Sequence, residues 1–316
     1  MSALQTVKQL CSRYGIYPSK KYGQNFLIAD WVAEKMCQAA ELTKEDRVVE
    51  IGPGLGALTR ELTERAGQVL AVEIDQKLYE AAKEQLESYQ NVEIINGDIL
   101  KIDNERLVEL LHNSPQPSLN LREGDRSEPP LKIRGARGVM KPYKLVASLP
   151  YSITSAALRK FTEEEPRPSL IVVLVQKEVA QRVCAKPSPR PSPKGRGGGG
   201  NMSILSVAVQ FYGKPEIVAK VPRGCFWPQP KVESAILRIE FTDVSSQFTA
   251  VETKRLFEVV RAGFSGKRKQ LQNNLLRGLH ISRQRALTSL SKVGIDPKIR
   301  AQDLAVEDWI ALARII

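Results

Sequence analysis

The stretch Val49-Glu50-Ile51-Gly52-Pro53-Gly54-Leu55-Gly56-Ala57 decides how this chain is read. A short apolar run at 48–51 enters it, and helical spacing, with Leu58 and Leu62 on one face, leaves it over 57–66. The segment is therefore a strand, a glycine turn and a helix. Working outward, apolar runs at 69–74 and 92–95 give two more buried strands, and Leu78, Ala82 and Leu86 mark a helix over 76–87 between them. Strand, crossover helix, strand predicts a parallel α/β sheet. Runs at 144–148, 170–175, 216–221 and 234–241 predict further strands, with helices near 154–164, 176–185 and 203–211. About seven strands make one doubly wound, Rossmann-like domain.

Glycines in the turn let the backbone pass close to a ligand, and the helix N-terminus beyond it offers free N–H groups. Glu73 ends the second strand, 21 residues beyond Gly52, where a carboxylate can accept both hydroxyls of a ribose diol. Gly52, Gly54 and Ala57 also satisfy the dinucleotide pattern G-x-G-x-x-A, so the loop by itself leaves NAD open. Three features favour S-adenosylmethionine. Glu50 precedes the loop and can bind an ammonium, directly or through water. Pro53 has no N–H to offer a pyrophosphate. Asn96-Gly97-Asp98 ends the third strand and places the Asp98 carboxylate where an adenine amine would arrive.

The next strand runs into Ser148-Leu149-Pro150-Tyr151. Strand ends form the active-site rim of a doubly wound sheet. A short polar side chain, a proline-stiffened turn and an aromatic ring therefore face the cofactor. Backbone carbonyls there can accept the hydrogens of an exocyclic amine, leaving its lone pair aimed at a methyl group, while Tyr151 stacks on the base. These four residues are the candidate catalytic group.

The whole sequence has 316 residues, 42% of them hydrophobic and 26% charged, which suits one large and one small domain. Its net charge of +12 is uneven: residues 251–316 carry 13 Lys and Arg against 6 Asp and Glu. Such a distribution points to a polyanion partner. Helical patterns at 251–263, 267–279, 283–293 and 305–315 make this a small, basic, all-helical domain, so the predicted division is 1–248 and 249–316. Residues 113–142 and 187–200 are Pro- and Gly-rich, basic and aperiodic, and read as loosely ordered surface insertions. Cysteines at 11, 37, 184 and 225 form no C-x-x-C pair, and with His112 and His280 as the two histidines a metal centre is not expected. Reduced thiols suit a cytoplasmic location. The run Leu170 to Val175 is too short to cross a membrane, and no secretory signal is expected.

With these motifs in place, the sequence resembles the ribosomal RNA adenine dimethyltransferase family of the small ribosomal subunit. The resemblance rests on KKYGQNFL (Lys20–Leu27), VEIGPGLG (Val49–Gly56), NGD (Asn96–Asp98), SLPY (Ser148–Tyr151), VQKEV (Val175–Val179), PQPKVESA (Pro228–Ala235) and RAGFSGKRKQLQNNL (Arg261–Leu275). It implies a class I methyltransferase sheet of seven strands with a small helical C-terminal domain. It also implies that Asn25, Leu27, Gly52, Glu73, Asp98 and Ser148 contact S-adenosylmethionine without a metal. The implied reaction is methylation of N6 on two adjacent adenosines near the 3′ end of small-subunit (16S) rRNA. The partner is then the assembling small subunit, and the protein acts as a monomer. The family usually has Asn at the first position of N-L-P-Y, where this chain has Ser148. Two alternatives are an assembly factor that uses the cofactor site as a switch, and a large-subunit resistance-type methyltransferase. The Phe264–Leu275 segment argues against the second.

Overall fold

The computed structural model describes residues 2–18, 23–113, 142–187, 202–266 and 268–316. The predicted insertions at 113–142 and 187–200 lie almost wholly outside the described residues, as does Lys267. Among the described residues there are nine strands: β1 (Phe26–Leu27), β2 (Arg47–Ile51), β3 (Gln68–Glu73), β4 (Val92–Asn96), β5 (Lys144–Ser148), β6 (Leu170–Gln176), β7 (Gly213–Val221), β8 (Phe226–Trp227) and β9 (Ser234–Phe241). Seven of them form one sheet in the order β4-β3-β2-β5-β6-β9-β7. The pairings from β4 through β6 are all parallel. Every residue of β2 and β3 is buried, as strands covered on both faces require.

Strand order reverses at β2, whose neighbours are β3 on one side and β5 on the other. Crossover helices on opposite faces leave a crevice at the carboxyl ends of such strands. The helix Ala57–Arg65 follows β2 and buries Leu58 and Leu62, and Gln76–Gln85 follows β3 and buries Leu78, Ala81 and Ala82. Asp75 caps the latter, its side chain accepting from the N–H groups of Lys77 and Leu78. These strands and helices follow the sequence reading to within two residues at either end.

Three helices were not read from the sequence: Ala3–Arg13, Asp30–Ala39 and Asn104–Asn113. The first buries Val7 and Cys11 in a small core with Phe26, Leu55, Leu78 and Ala81, and thereby backs the glycine loop. The short antiparallel pair β1–β8, with Phe26 opposite Trp227, was likewise unforeseen. The helix expected at 267–279 begins at Leu271 instead. Asn274 accounts for the shorter element: its side-chain amide donates to the carbonyls of Gly263 and Gly266, holding the preceding residues as a turn.

The chain divides into two compact units. One comprises Met1–Ala157, Glu164–Leu174 and Val221–Lys231, and the other Leu158–Glu163, Val175–Lys220 and Val232–Ile316. In the second, the helices Ala250–Gly263, Leu271–Gly278, Arg283–Lys292 and Val306–Ile315 surround a core centred on Trp309, which also takes in Val207, Phe211 and Tyr212 from the helix Ile204–Tyr212. Among the described residues, no helix is long and apolar enough to cross a membrane.

Candidate active site

A cleft opens within the first unit at the carboxyl ends of β2 to β5. About 1180 Å³ of empty space lies in and over it, the open mouth included. Every site residue chosen from the sequence lines it: Asn25, Leu27, Gly52, Glu73, Asp98, Ser148, Leu149, Pro150 and Tyr151. Glu50 lines it too.

Backbone geometry explains the glycines. Gly52 has φ of 67° and Gly54 of 58°, in the left-handed region where a side chain is strained. The loop is braced from within. The Gly52 N–H donates to the Val72 carbonyl (2.9 Å), the Gly56 N–H to the Pro53 carbonyl (2.9 Å), and the Gly54 N–H to Glu73 Oε2 (3.2 Å).

Glu73 is buried, and its second oxygen accepts from the Asp75 N–H at 3.0 Å. Burial pushes its carboxyl above the ordinary range, against the pull of these backbone donors. Glu50 is buried completely, and its Oε2 has no hydrogen-bond partner. Desolvation lifts its carboxyl to about 8, the Glu73 charge adding to the rise and the nearby Thr59 hydroxyl opposing it, although that hydroxyl too lacks a partner of good geometry. Asp98 sits beyond β4, accepting from the Leu100 N–H at 3.0 Å, with its carboxylate partly open to the cleft.

Ser148 closes β5 opposite Leu174 of β6, and the Leu149 N–H donates to the Leu174 carbonyl at 3.1 Å. The turn that follows is anchored by Pro150. Its carbonyl accepts from the Ile153 N–H (3.2 Å) and the Thr154 hydroxyl (3.1 Å) at the start of the helix Thr154–Glu163. The sequence reading had rim carbonyls facing a substrate amine in general; the Pro150 carbonyl is instead taken up by the start of the helix.

Several lining residues escaped the sequence reading. Gly23, with φ of 62°, passes so close to the turn that an added Cβ would lie 3.5 Å from the Tyr151 nitrogen. Ile74, directly after Glu73, is apolar yet 54% exposed, and so presents a flat hydrocarbon surface beside the acid. Phe226 reaches the cleft from β8. The signal for Ile74 was its position after Glu73; for Phe226 there was none, because its place depends on pairing with β1, about 200 residues away in sequence. Among the described residues, no group of three or more His, Cys, Asp or Glu is disposed to hold a metal ion.

Residues 18–316 match the ribosomal RNA adenine dimethylase family. The chain belongs to that family. The dimethylase is 40% identical over 314 residues to the ribosomal RNA small subunit methyltransferase A of Dehalococcoides mccartyi, covering 99% of this chain and 94% of the relative. It is 35% identical over 316 residues to the protein of the same name from Clostridioides difficile, covering 100% and 96%. Among solved structures, the 23S rRNA methyltransferase ErmE is 28% identical, with a TM-score of 0.61 over 92% of this chain and 98% of that one. A dimethyladenosine transferase from Plasmodium falciparum, 23% identical, shares the fold with a TM-score of 0.66 over 91% and 95%. The dimethylase is therefore an enzyme with the class I methyltransferase fold, as its motifs implied.

Proposed function

We propose that this dimethylase transfers methyl groups from S-adenosylmethionine to N6 of two adjacent adenosines near the 3′ end of small-subunit (16S) rRNA, as a cytoplasmic monomer acting on the assembling small subunit. The observation that carries this reading is the convergence of the buried acids Glu50 and Glu73 with the Ser148–Tyr151 turn on one cleft. The near-full-length relatives named for the small subunit support the choice of RNA.

The cleft fits the methyl donor residue by residue. The unpartnered Oε2 of Glu50 is a buried acceptor that an ammonium would satisfy. Glu73 would take the ribose hydroxyls, Ile74 a face of the adenine, and Asp98 the adenine amine. Asn25 and Leu27 close the same cleft from the N-terminal side, and Gly52 and Gly54 leave the loop surface bare of side chains. When bound, S-adenosylmethionine supplies an electrophilic methyl group on a sulfonium centre.

The rest of the chemistry falls to the rim. The Ser148 hydroxyl and the Leu149 carbonyl would accept the two hydrogens of the target amine, which points the nitrogen lone pair away from them. Pro150 fixes the turn through its bonds to Ile153 and Thr154. Tyr151 would stack on an adenine drawn out of its RNA stack, with stacking contributing ~1–3 kcal/mol. Holding two reactants in line accounts for rate gains worth up to ~7–11 kcal/mol in favourable systems. No residue is asked to act as a strong base, since the amine's proton can leave to solvent once the nitrogen carries the new methyl group. In this reading the basic 249–316 segment grips RNA.

The test is methyl incorporation by the purified protein into small-subunit rRNA lacking these modifications, with the products located by mass spectrometry. Dimethyladenosine at two adjacent positions near the 3′ end is expected. Incorporation only into large-subunit rRNA, or none at all, would defeat the proposal.

A further inference from the structure

A groove in the second unit remains unused by the cleft chemistry. Its walls are Arg255, Glu258, Arg261 and Ser265 from the helix Ala250–Gly263 and the turn after it, with Leu279 and His280 opposite. The floor is fixed by close packing, since a Cβ on Gly278 would come within 2.6 Å of the Ala262 Cβ. The two walls therefore hold their spacing.

The charges of this groove are poorly satisfied within the protein. Arg261 is exposed and makes no ion pair among the described residues. Arg255 has one acidic partner, Glu258, at 3.4 Å, longer than a well-formed charge-assisted bond. His280, with φ of 54°, ends the helix Leu271–Gly278 in the left-handed conformation common just past a helix C-terminus. Two arginines, a histidine and a serine thus line one open groove that holds a single carboxylate. Guanidinium forks match the oxygens of a phosphate in geometry and sign.

We infer that this groove is a phosphodiester-binding subsite for the substrate RNA, with Arg255 and Arg261 gripping the backbone and His280 closing the opposite wall. The inference rests on the reading that the enzyme acts on RNA. It assigns part of the affinity to residues outside the basic run at Arg268 and Lys269. Glu258 acts in it as the counter-ion that holds Arg255 in place while the groove is empty.

The experiment uses the full chain and a fluorescently labelled RNA fragment from the 3′ end of small-subunit rRNA, titrated across a salt series. Arg255→Gln and Arg261→Gln should each weaken binding and flatten the plot of log affinity against log salt by about one per lost phosphate contact. His280→Gly, which keeps the left-handed backbone, should weaken binding several-fold. Glu258→Gln should tighten it, because the groove's one acid is gone. Thermal unfolding and cofactor calorimetry on each variant establish that fold and cleft are intact. Parental affinity and slope in both arginine variants would overturn the inference while leaving the enzyme's RNA activity standing. Loss of binding to assembled subunits but not to naked RNA would also overturn it, assigning the groove to an acidic protein surface. A parent protein that bound no RNA would remove both this inference and the reading beneath it.

Discussion

Glu50 should make the protein less stable as pH rises, and removing its charge should reverse that. Its carboxyl is wholly buried, with a folded-state value of about 8 against 4.5 for an ordinary Glu. Below 4.5 both the folded and unfolded chains hold the proton, so the group costs nothing there. Between 4.5 and about 8 the unfolded chain releases the proton first, and unfolding becomes progressively easier. At ~1.4 kcal/mol for each tenfold difference in acidity, the full penalty above pH 8 is of the order of 5 kcal/mol. Glu50→Gln abolishes this titration. Its amide has a donor to place in a buried site where only the Thr59 hydroxyl lies at hand, so ~1–3 kcal/mol of that gain is lost again through imperfect pairing. The variant should therefore be more stable than the parent by roughly 2–4 kcal/mol at pH 9, and equal or less stable at pH 5. Urea unfolding of the ligand-free proteins at both pH values measures this. Because an ammonium would draw Glu50 into its charged form, donor binding near pH 7 should release a proton in the parent and not in the variant. Calorimetry in buffers of different ionisation enthalpy reads that directly. A stability difference identical at pH 5 and pH 9 would refute the assignment of a protonated, buried Glu50.

Four further outcomes follow from the same geometry. Glu73→Ala should weaken S-adenosylmethionine by ~1.5–3 kcal/mol in calorimetry, the loss expected for a hydrogen bond to a charged group; unchanged affinity would mean the ribose lies elsewhere. Ser148→Ala should slow methyl transfer about tenfold to a hundredfold in single-turnover assays while costing less in donor affinity, and Ser148→Asn should keep or raise the rate. Neutralising Arg268 and Lys269 should reduce the salt dependence of RNA binding by roughly one per lost contact without affecting the donor; an unaltered slope would return them to a merely solvated role. Gly263→Ala should lower stability by ~1–3 kcal/mol in thermal unfolding, because the new methyl would stand 2.3 Å from the Trp309 ring in a packed core.

The central sheet was legible because its strands carry their signal locally. Val48 to Ile51, apolar but for Glu50, ends on Gly52, and Leu170 to Val175 is an unbroken aliphatic run that follows Pro168. Glu73 and Asp98 were found for the same reason, each standing at the end of such a run. Elements whose reason is tertiary stayed hidden. β1 and β8 are two residues long and exist because Phe26 stacks near Trp227, with ring centroids 6.5 Å apart. The helix Asp30–Ala39 has a weak start, Ala29 offering no side-chain cap, and is held by burying Val32, Ala33, Met36 and Cys37. The turn before Leu271 depends on one buried amide, Asn274, which no periodicity reveals. At the rim, composition gave the turn but not which carbonyl the helix takes up; that followed from the Ile153 and Thr154 bonds.

Hydrogen-bond accounting supports the proposed S-adenosylmethionine over a dinucleotide in this loop. A pyrophosphate needs N–H groups free to turn toward it. Here Pro53 has none, and the N–H groups of Gly52, Gly54 and Gly56 already serve the Val72 carbonyl, Glu73 and the Pro53 carbonyl. The buried Glu50 holds its proton up to about pH 8, and its unpartnered Oε2 can charge to meet an ammonium but offers a phosphate nothing. The same features suit the proposed ligand, which carries an ammonium at one end and a ribose diol at the other. The glycines thus do a different task from the one their spacing suggests: they let the loop fold tightly onto its own acids. That arrangement leaves Glu50 without a partner until a cation arrives, which is why the stability penalty at Glu50 and the selectivity of the cleft have one physical origin.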